Sequence, residues 1–165
     1  MSGAIYDRVA LIGLGLIASS MAHAIKEGGL ARHIAGHAKT EATRAAALEI
    51  GFCDSVHATA AEAVKDADLV VLAVPVGAMG AVAAEIAPHL KPGATLTDVG
   101  SVKQAVVDAV SPHVPQGVHF VPGHPLGRRE AVSDMFFDQL FELVCTLHAR
   151  HIAYVDLNKR QNILV

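Results

Sequence analysis

Short apolar runs alternate along this chain with longer segments in which apolar residues recur every three or four positions. Residues 9–12 form an uninterrupted apolar run that leads into glycine, as buried parallel strands do. The segment after it has helical spacing, with apolar residues at Leu14, Ile17, Met21 and Ile25. It stops at Gly28 and Gly29, a common signal for a helix C-terminus. The pattern therefore predicts a strand followed by a helix.

The same alternation continues along the chain. It predicts strands at residues 33–36, 69–74, 95–98 and 118–121, and helices at residues 40–50, 60–65, 77–90 and 102–110. Thr40 is suited to cap the helix at 40–50 and Gly51 to end it. Further on we expect a helix at 135–142 and a strand at 143–147.

Strands that alternate with helices through short turns marked by Gly or Pro indicate an α/β fold. We expect a Rossmann-type, doubly wound and mainly parallel sheet with helices on both faces. Residues 1–147 are assigned to this dinucleotide-binding domain, and residues 148–165 to a C-terminal tail without a clear pattern.

Composition adds several exclusions. The chain has 165 residues, of which 52% are apolar and 18% charged, so it can bury the core of one ordinary domain. Its net charge of −3 does not suit a nucleic-acid partner or an anionic membrane surface. Cys53 and Cys145 lack metal-ligand spacing, and we expect no metal and a cytoplasmic location. The uncharged stretch 69–84 is too short to span a bilayer.

Residues 13–18 (Gly-Leu-Gly-Leu-Ile-Ala) match G-x-G-x-x-G/A where the first strand passes into a helix. Gly13 permits a tight turn, Gly15 lets the backbone approach a pyrophosphate, and the small Ala18 lets helix and strand pack closely. Free N–H groups at the helix start would face the phosphates. We expect the cofactor to contact Gly13, Gly15, Leu16, Ile17 and Ala18. The alternative is a glycine turn that serves packing alone.

The end of the second strand bears on the choice of cofactor. An NAD-selective domain has a carboxylate there for the ribose 2′-hydroxyl, whereas here the residues after Gly36 are His37, Ala38, Lys39 and Thr40. His37, Lys39, Thr40 and Arg44 are candidates to receive a 2′-phosphate instead. We favour NADP over NAD. The alternative is that Lys39 and Arg44 are ordinary surface charges.

Three later segments follow strand ends, where open α/β sheets bind ligands. Val74 and Pro75 end one strand and are expected beside the nicotinamide, although Pro75 could simply stop the strand. Ser101 precedes the next helix, where it suits an N-cap, a role that is compatible with a hydroxyl presented to the site. His124 follows the last strand between glycine and proline, and is the best acid/base candidate among ten histidines.

Arg128 and Arg129 follow His124 closely. Positive charge beside a catalytic histidine suits an anionic substrate, and the alternative is plain surface. Most of the other histidines fall on helices, strand ends or turns and are interpreted as structural or solvated.

Four segments together resemble the prephenate/arogenate dehydrogenase family of tyrosine biosynthesis. They are residues 9–20 (VALIGLGLIASS), 67–76 (ADLVVLAVPV), 97–103 (TDVGSVK) and 120–126 (FVPGHPL). The first two are shared with many hydroxyacid dehydrogenases. The GSVK and GHP motifs at this separation are more specific.

The resemblance implies NAD or NADP as oxidant and prephenate, arogenate or both as substrate. The histidine of the GHP motif, here His124, takes the proton of the substrate 4-hydroxyl as hydride leaves C4, after which carbon dioxide is lost and the ring becomes aromatic. The GSVK serine, here Ser101, orients that histidine and the hydroxyl. Substrate contacts are expected from Ser101, Lys103, His124, Arg128 and Arg129.

The chain also departs from the family pattern. Arg128 stands where glycine is expected, and 165 residues leave no room for the family's helical C-terminal domain. We expect an apolar face exposed by that shortening to support a homodimer. Two alternatives remain, an NAD(P)-binding module or inactive truncated paralogue, and an oxidoreductase similar to the β-hydroxyacid dehydrogenases.

Overall fold

A computed structural model describes residues 4–123 of the chain, and within them six parallel strands form one sheet. The strands are β1 Tyr6–Ile12, β2 Ala31–His37, β3 Ser55–His57, β4 Leu69–Leu72, β5 Thr95–Asp98 and β6 His119–Val121. Their order across the sheet is β3-β2-β1-β4-β5-β6. This order reverses direction between β1 and β4, and ligands of doubly wound sheets bind at that point.

Helices connect the strands. They are α1 Leu16–Gly28, α2 Glu41–Ile50, α3 Ala60–Ala63, α4 Val76–Ile86 and α5 Lys103–Val110, with short 3-10 turns at Ala87–His89 and Ser111–His113. The two signals at Thr40 and Gly51 act as predicted, because the Thr40 hydroxyl accepts from the Thr43 N–H and Gly51 adopts a left-handed conformation.

The core lies on both faces of the sheet. In β1, Val9 and Leu11 belong to one buried cluster with α1 and α2, whereas Ala10 and Ile12 belong to another with α3, α4 and α5. Successive side chains of a strand point to opposite faces, so a strand covered on both sides must be apolar throughout. The predicted Rossmann-type, doubly wound α/β sheet is confirmed.

Some predicted boundaries were wrong. The strand expected at 69–74 ends at Leu72; the Ala73 N–H still bonds to the Ile12 carbonyl, and α4 then begins at Val76. The helix expected at 77–90 ends at Ile86, where Pro88 forces a 3-10 turn. The helix expected at 60–65 closes after four residues.

Strand β3 was not predicted at all. It has only three residues, and they are polar or half-buried, so no apolar run marks it. Pairing with β2 holds its backbone, and its side chains form a polar chain. Arg8 donates to Nε2 of His57 at 3.2 Å, the Ser55 hydroxyl lies 3.2 Å from the same nitrogen, and His33 Nε2 lies 2.8 Å from that hydroxyl.

The helix expected at 135–142, the strand expected at 143–147 and the proposed boundary at residue 147 lie outside the described residues. Among the helices within residues 4–123, none has the length and apolar character that a membrane span requires.

Candidate active site

Gly13 forms the turn between β1 and α1 under two constraints. Its φ is +98°, which L side chains rarely adopt, and a Cβ there would lie 2.5 Å from the Ala73 carbonyl oxygen. Its N–H donates to the His37 carbonyl at 2.8 Å. Gly13 thus joins the ends of β1, β2 and β4 at one point.

Gly15 has the opposite surroundings. It is the N-cap of α1, and a Cβ added to it would meet no atom within 4 Å. No side chain caps α1 and no acidic residue lies in its first turn, so its first N–H groups have no side-chain cap and no acidic neighbour in that turn to repel an anion. Leu16 and Ile17 are exposed beside it, and Ala18 is fully buried against the sheet. These residues fit the pyrophosphate of a dinucleotide.

The end of β2 carries positive and hydroxyl groups. Lys39 and Thr40 are exposed, and Arg44 donates to the Ala38 carbonyl at 2.6 Å and more weakly to the Lys39 carbonyl. Nδ1 of His37 donates to the His57 carbonyl at 3.1 Å. Arg44 therefore braces the loop that presents Lys39, while the Thr40 hydroxyl caps α2.

The segment after β4 lies beside the glycine turn, because Ile12 pairs with Leu72 across β1 and β4. Ala73 contacts Gly13 directly, Val74 is half-buried and Pro75 is exposed at the start of α4. Val74 and Pro75 therefore lie beside the glycine turn, and their expected contact with a cofactor stays a prediction.

Asp98, at the end of β5, was not singled out from the sequence. Its side chain is completely buried and forms an ion pair with Lys103, of which only 10% is exposed. Oδ1 also accepts from the Gly100 N–H at 2.8 Å, and Oδ2 accepts from the Gly123 N–H at 3.2 Å. One carboxylate thus joins the GSVK loop to the residue before His124.

Ser101 is exposed between these contacts. It is not the N-cap of α5, since Val102 occupies that position and no side chain caps the helix. The N-cap role expected of Ser101 is therefore wrong, and its contact with substrate stays a prediction. Lys103 is held by Asp98, and its expected contact with substrate stays a prediction.

Gly123 packs tightly against the end of β5. A Cβ at this residue would overlap the Asp98 carbonyl oxygen and lie 3.0 Å from the Thr97 hydroxyl. The backbone can therefore adopt this path only with glycine at position 123. His124, Arg128 and Arg129 lie outside the described residues, so their expected roles stay predictions. Among residues 4–123, no group of three or more potential ligands could hold a metal.

Comparisons with known proteins agree with this architecture. Residues 21–148 match the family model described as prephenate dehydrogenase, nucleotide-binding domain. The chain belongs to the prephenate dehydrogenase family. A cyclohexadienyl dehydrogenase from Zymomonas mobilis is 40% identical over 139 residues, which are 84% of this chain and 47% of the relative. The prephenate dehydrogenase of Bacillus subtilis is 33% identical over 144 residues, 84% of this chain and 39% of the relative.

Solved structures share the fold of this prephenate dehydrogenase family member. Aquifex aeolicus prephenate dehydrogenase, solved with hydroxyphenyl propionate and NAD+, superposes with a TM-score of 0.75 at 19% identity, covering 89% of this chain and 58% of that one. Synechocystis arogenate dehydrogenase gives 0.72 at 23% identity, covering 85% and 56%. The chain spans about half the length of the curated relatives it matches.

Proposed function

We propose that this chain is the nucleotide-binding part of an NAD(P)-dependent dehydrogenase that oxidatively decarboxylates prephenate, arogenate or both. The observation that carries the proposal is the joining of the GSVK loop to the GHP segment by Asp98. Family membership supports the same chemistry, and the relatives carry the names prephenate, cyclohexadienyl and arogenate dehydrogenase.

The cofactor would lie across the end of the sheet, with its pyrophosphate at Gly13, Gly15 and the start of α1. Leu16, Ile17 and Ala18 complete that turn, and Val74 and Pro75 flank the nicotinamide half. The bound nicotinamide supplies a hydride acceptor. We favour NADP, because no carboxylate ends β2 and the exposed Lys39 amine, with Thr40 and His37 nearby, suits a 2′-phosphate. The Aquifex relative was solved with NAD+, which supports a nicotinamide cofactor but does not favour NADP over NAD.

In the proposed reaction, His124 accepts the proton of the substrate 4-hydroxyl while hydride leaves C4 of the same ring. The electron pair of the C–CO₂ bond then enters the ring, carbon dioxide departs and the ring becomes aromatic, and the phenolate oxygen so formed takes the proton back from His124. Ser101 holds the hydroxyl and the imidazole in line for the proton transfer. Arg128, Arg129 and Lys103 are proposed to contact the anionic groups of the substrate.

We also keep three further proposals. Residues 1–147 form the nucleotide-binding domain and 148–165 a tail, which the match over 21–148 supports. The protein acts in the cytoplasm. It associates as a homodimer through an exposed apolar face. A monomer mass by light scattering at every protein concentration would contradict the proposed dimer.

The test is reduction of nicotinamide, followed by absorbance, in mixtures of the chain with NADP+ or NAD+ and with prephenate or arogenate. We expect turnover that is lost in His124→Asn while cofactor affinity stays unchanged. Cofactor binding without any turnover by the unaltered chain would favour the alternative of a binding module.

A further inference from the structure

The Asp98 carboxylate uses both of its oxygens for different parts of the site. Oδ1 accepts from Gly100 and from the Lys103 ammonium, and Oδ2 accepts from Gly123. All of this occurs with the Asp98 side chain fully buried. A buried carboxylate is costly unless its charge and its lone pairs are matched, and here both are.

These contacts lie at the meeting of three segments. Gly100 precedes Ser101, Lys103 begins α5, and Gly123 precedes His124 along the chain. The close approach of Gly123 to the Asp98 carbonyl leaves little freedom in the path of the backbone. The distance between the two loops is therefore set at Asp98.

We propose that Asp98 is a positioning residue, which holds the backbone preceding His124 in register with the Ser101 loop, and that Lys103 acts through it. The inference rests on the proposed function, since it assigns Asp98 to the proton transfer between substrate, Ser101 and His124. Lys103 neutralises the carboxylate that makes the two backbone contacts. Its loss should then affect catalysis through misplacement as well as through any direct contact with substrate.

The chemistry of asparagine makes a sharp test possible. Asn has one acceptor oxygen where Asp has two, so Asp98→Asn sets its amide donor against the N–H of Gly100 or Gly123. Because Asp98→Asn alone leaves the Lys103 ammonium buried and unpaired, the test variant is Asp98→Asn with Lys103→Met, which removes both charges.

A control for this variant exists at the opposite end of the strands. Asp68 also accepts from two backbone N–H groups, those of Asp7 and Arg8, and pairs with a lysine, Lys91, but it lies at the amino ends of the strands. Asp68→Asn with Lys91→Met thus removes a similar clamp far from Ser101.

The measurement separates kcat from cofactor affinity. In Asp98→Asn with Lys103→Met we expect kcat to fall about ten-fold or more, with cofactor Kd changed by less than about two-fold, because misplacement of catalytic groups affects the chemical step. The control should keep kcat within about two-fold of the unaltered chain. A kcat for the test variant equal to that of the control would overturn the inference.

A second measurement does not depend on turnover. Backbone NMR should show the Gly123 amide shifted and exchanging faster in the Asp98→Asn, Lys103→Met variant and unchanged in the control. If the unaltered chain shows no turnover, the proposed function fails by itself and this amide decides the inference. An unchanged Gly123 amide would contradict it. Should the double variant not fold, Asp98→Glu replaces it, with the charge kept and the carboxylate moved by one methylene.

Discussion

The Ala73 carbonyl oxygen lies 2.5 Å from the point that a Cβ on Gly13 would occupy. Two strand ends meet there, since Ala73 follows β4 and Gly13 follows β1. A Cβ added to Gly15, two residues further on, would meet no atom within 4 Å. The two positions of this motif therefore require glycine for different physical reasons. At Gly13 the reason is packing inside the fold, and at Gly15 it is the open space proposed for a ligand.

Substitution by alanine should separate those reasons. Gly13→Ala forces a side chain into a φ of +98° and against a backbone oxygen, so we expect a loss of about 3 kcal/mol or more in unfolding free energy. Gly15→Ala keeps an allowed conformation and should keep the stability within about 1 kcal/mol. Urea unfolding of both variants measures the difference.

The same Gly15→Ala variant should lose cofactor affinity by about ten-fold or more, because its methyl group occupies the space proposed for the pyrophosphate. Fluorescence titration with reduced cofactor gives the Kd. Unchanged affinity in a folded Gly15→Ala protein would mean that this turn does not hold the dinucleotide.

Lys39 tests the preference for NADP. Its side chain is exposed beside Thr40, and Lys39→Gln removes the charge without a change in the fold. We expect about a ten-fold weaker NADP+ affinity and an unaltered NAD+ affinity, since an ionic hydrogen bond contributes roughly 1.5–3 kcal/mol. Parallel titrations with both cofactors provide the comparison. Equal effects on the two would argue against a 2′-phosphate contact at Lys39.

His57 should make stability depend on pH. Burial and the nearby Arg8 charge lower its pKa from 6.5, with His33 and His37 acting in the same direction and Glu62 opposing them. The unfolded chain then binds a proton that folded His57 resists, so its contribution to stability is present above 6.5 and lost as pH falls toward the folded pKa. His57→Gln should therefore flatten the fall in unfolding free energy below that pH. Urea unfolding of both proteins at a series of pH values below 6.5 measures this effect. An unfolding free energy that falls equally steeply with pH in both proteins would contradict the role given to His57.

Cys53 is expected to be unreactive in the folded protein. Burial raises the pKa of its thiol to about 11, with Lys26 opposing and Asp54 adding to the shift. Little thiolate exists at pH values near neutrality, and the thiolate is the reactive form. Mass spectrometry of the Cys53 peptide should show slow alkylation by iodoacetamide in buffer and rapid alkylation in urea. Similar rates in both would show that the thiol is accessible.

The sequence predicted most of the fold because β1 and β4 are buried on both faces, which leaves uninterrupted apolar runs. The same reasoning missed β3, whose Ser55 and His57 are held by neighbours on β1 and β2 and carry no apolar signal. It also passed over Asp98. A carboxylate at the end of a buried strand with lysine five positions later was a usable signal, but the bond to Gly123 spans 25 residues and appears only in three dimensions.

The central claim is tested most directly by the stoichiometry of one reaction. The full chain is mixed with NADP+ or NAD+ and prephenate or arogenate, and reduced cofactor, carbon dioxide and aromatic product are measured together. We expect equal amounts of the three with at least one pair of cofactor and substrate, and none of them with His124→Asn. Cofactor binding by the unaltered chain with no product from any pair would contradict the assignment of this chain as a working dehydrogenase.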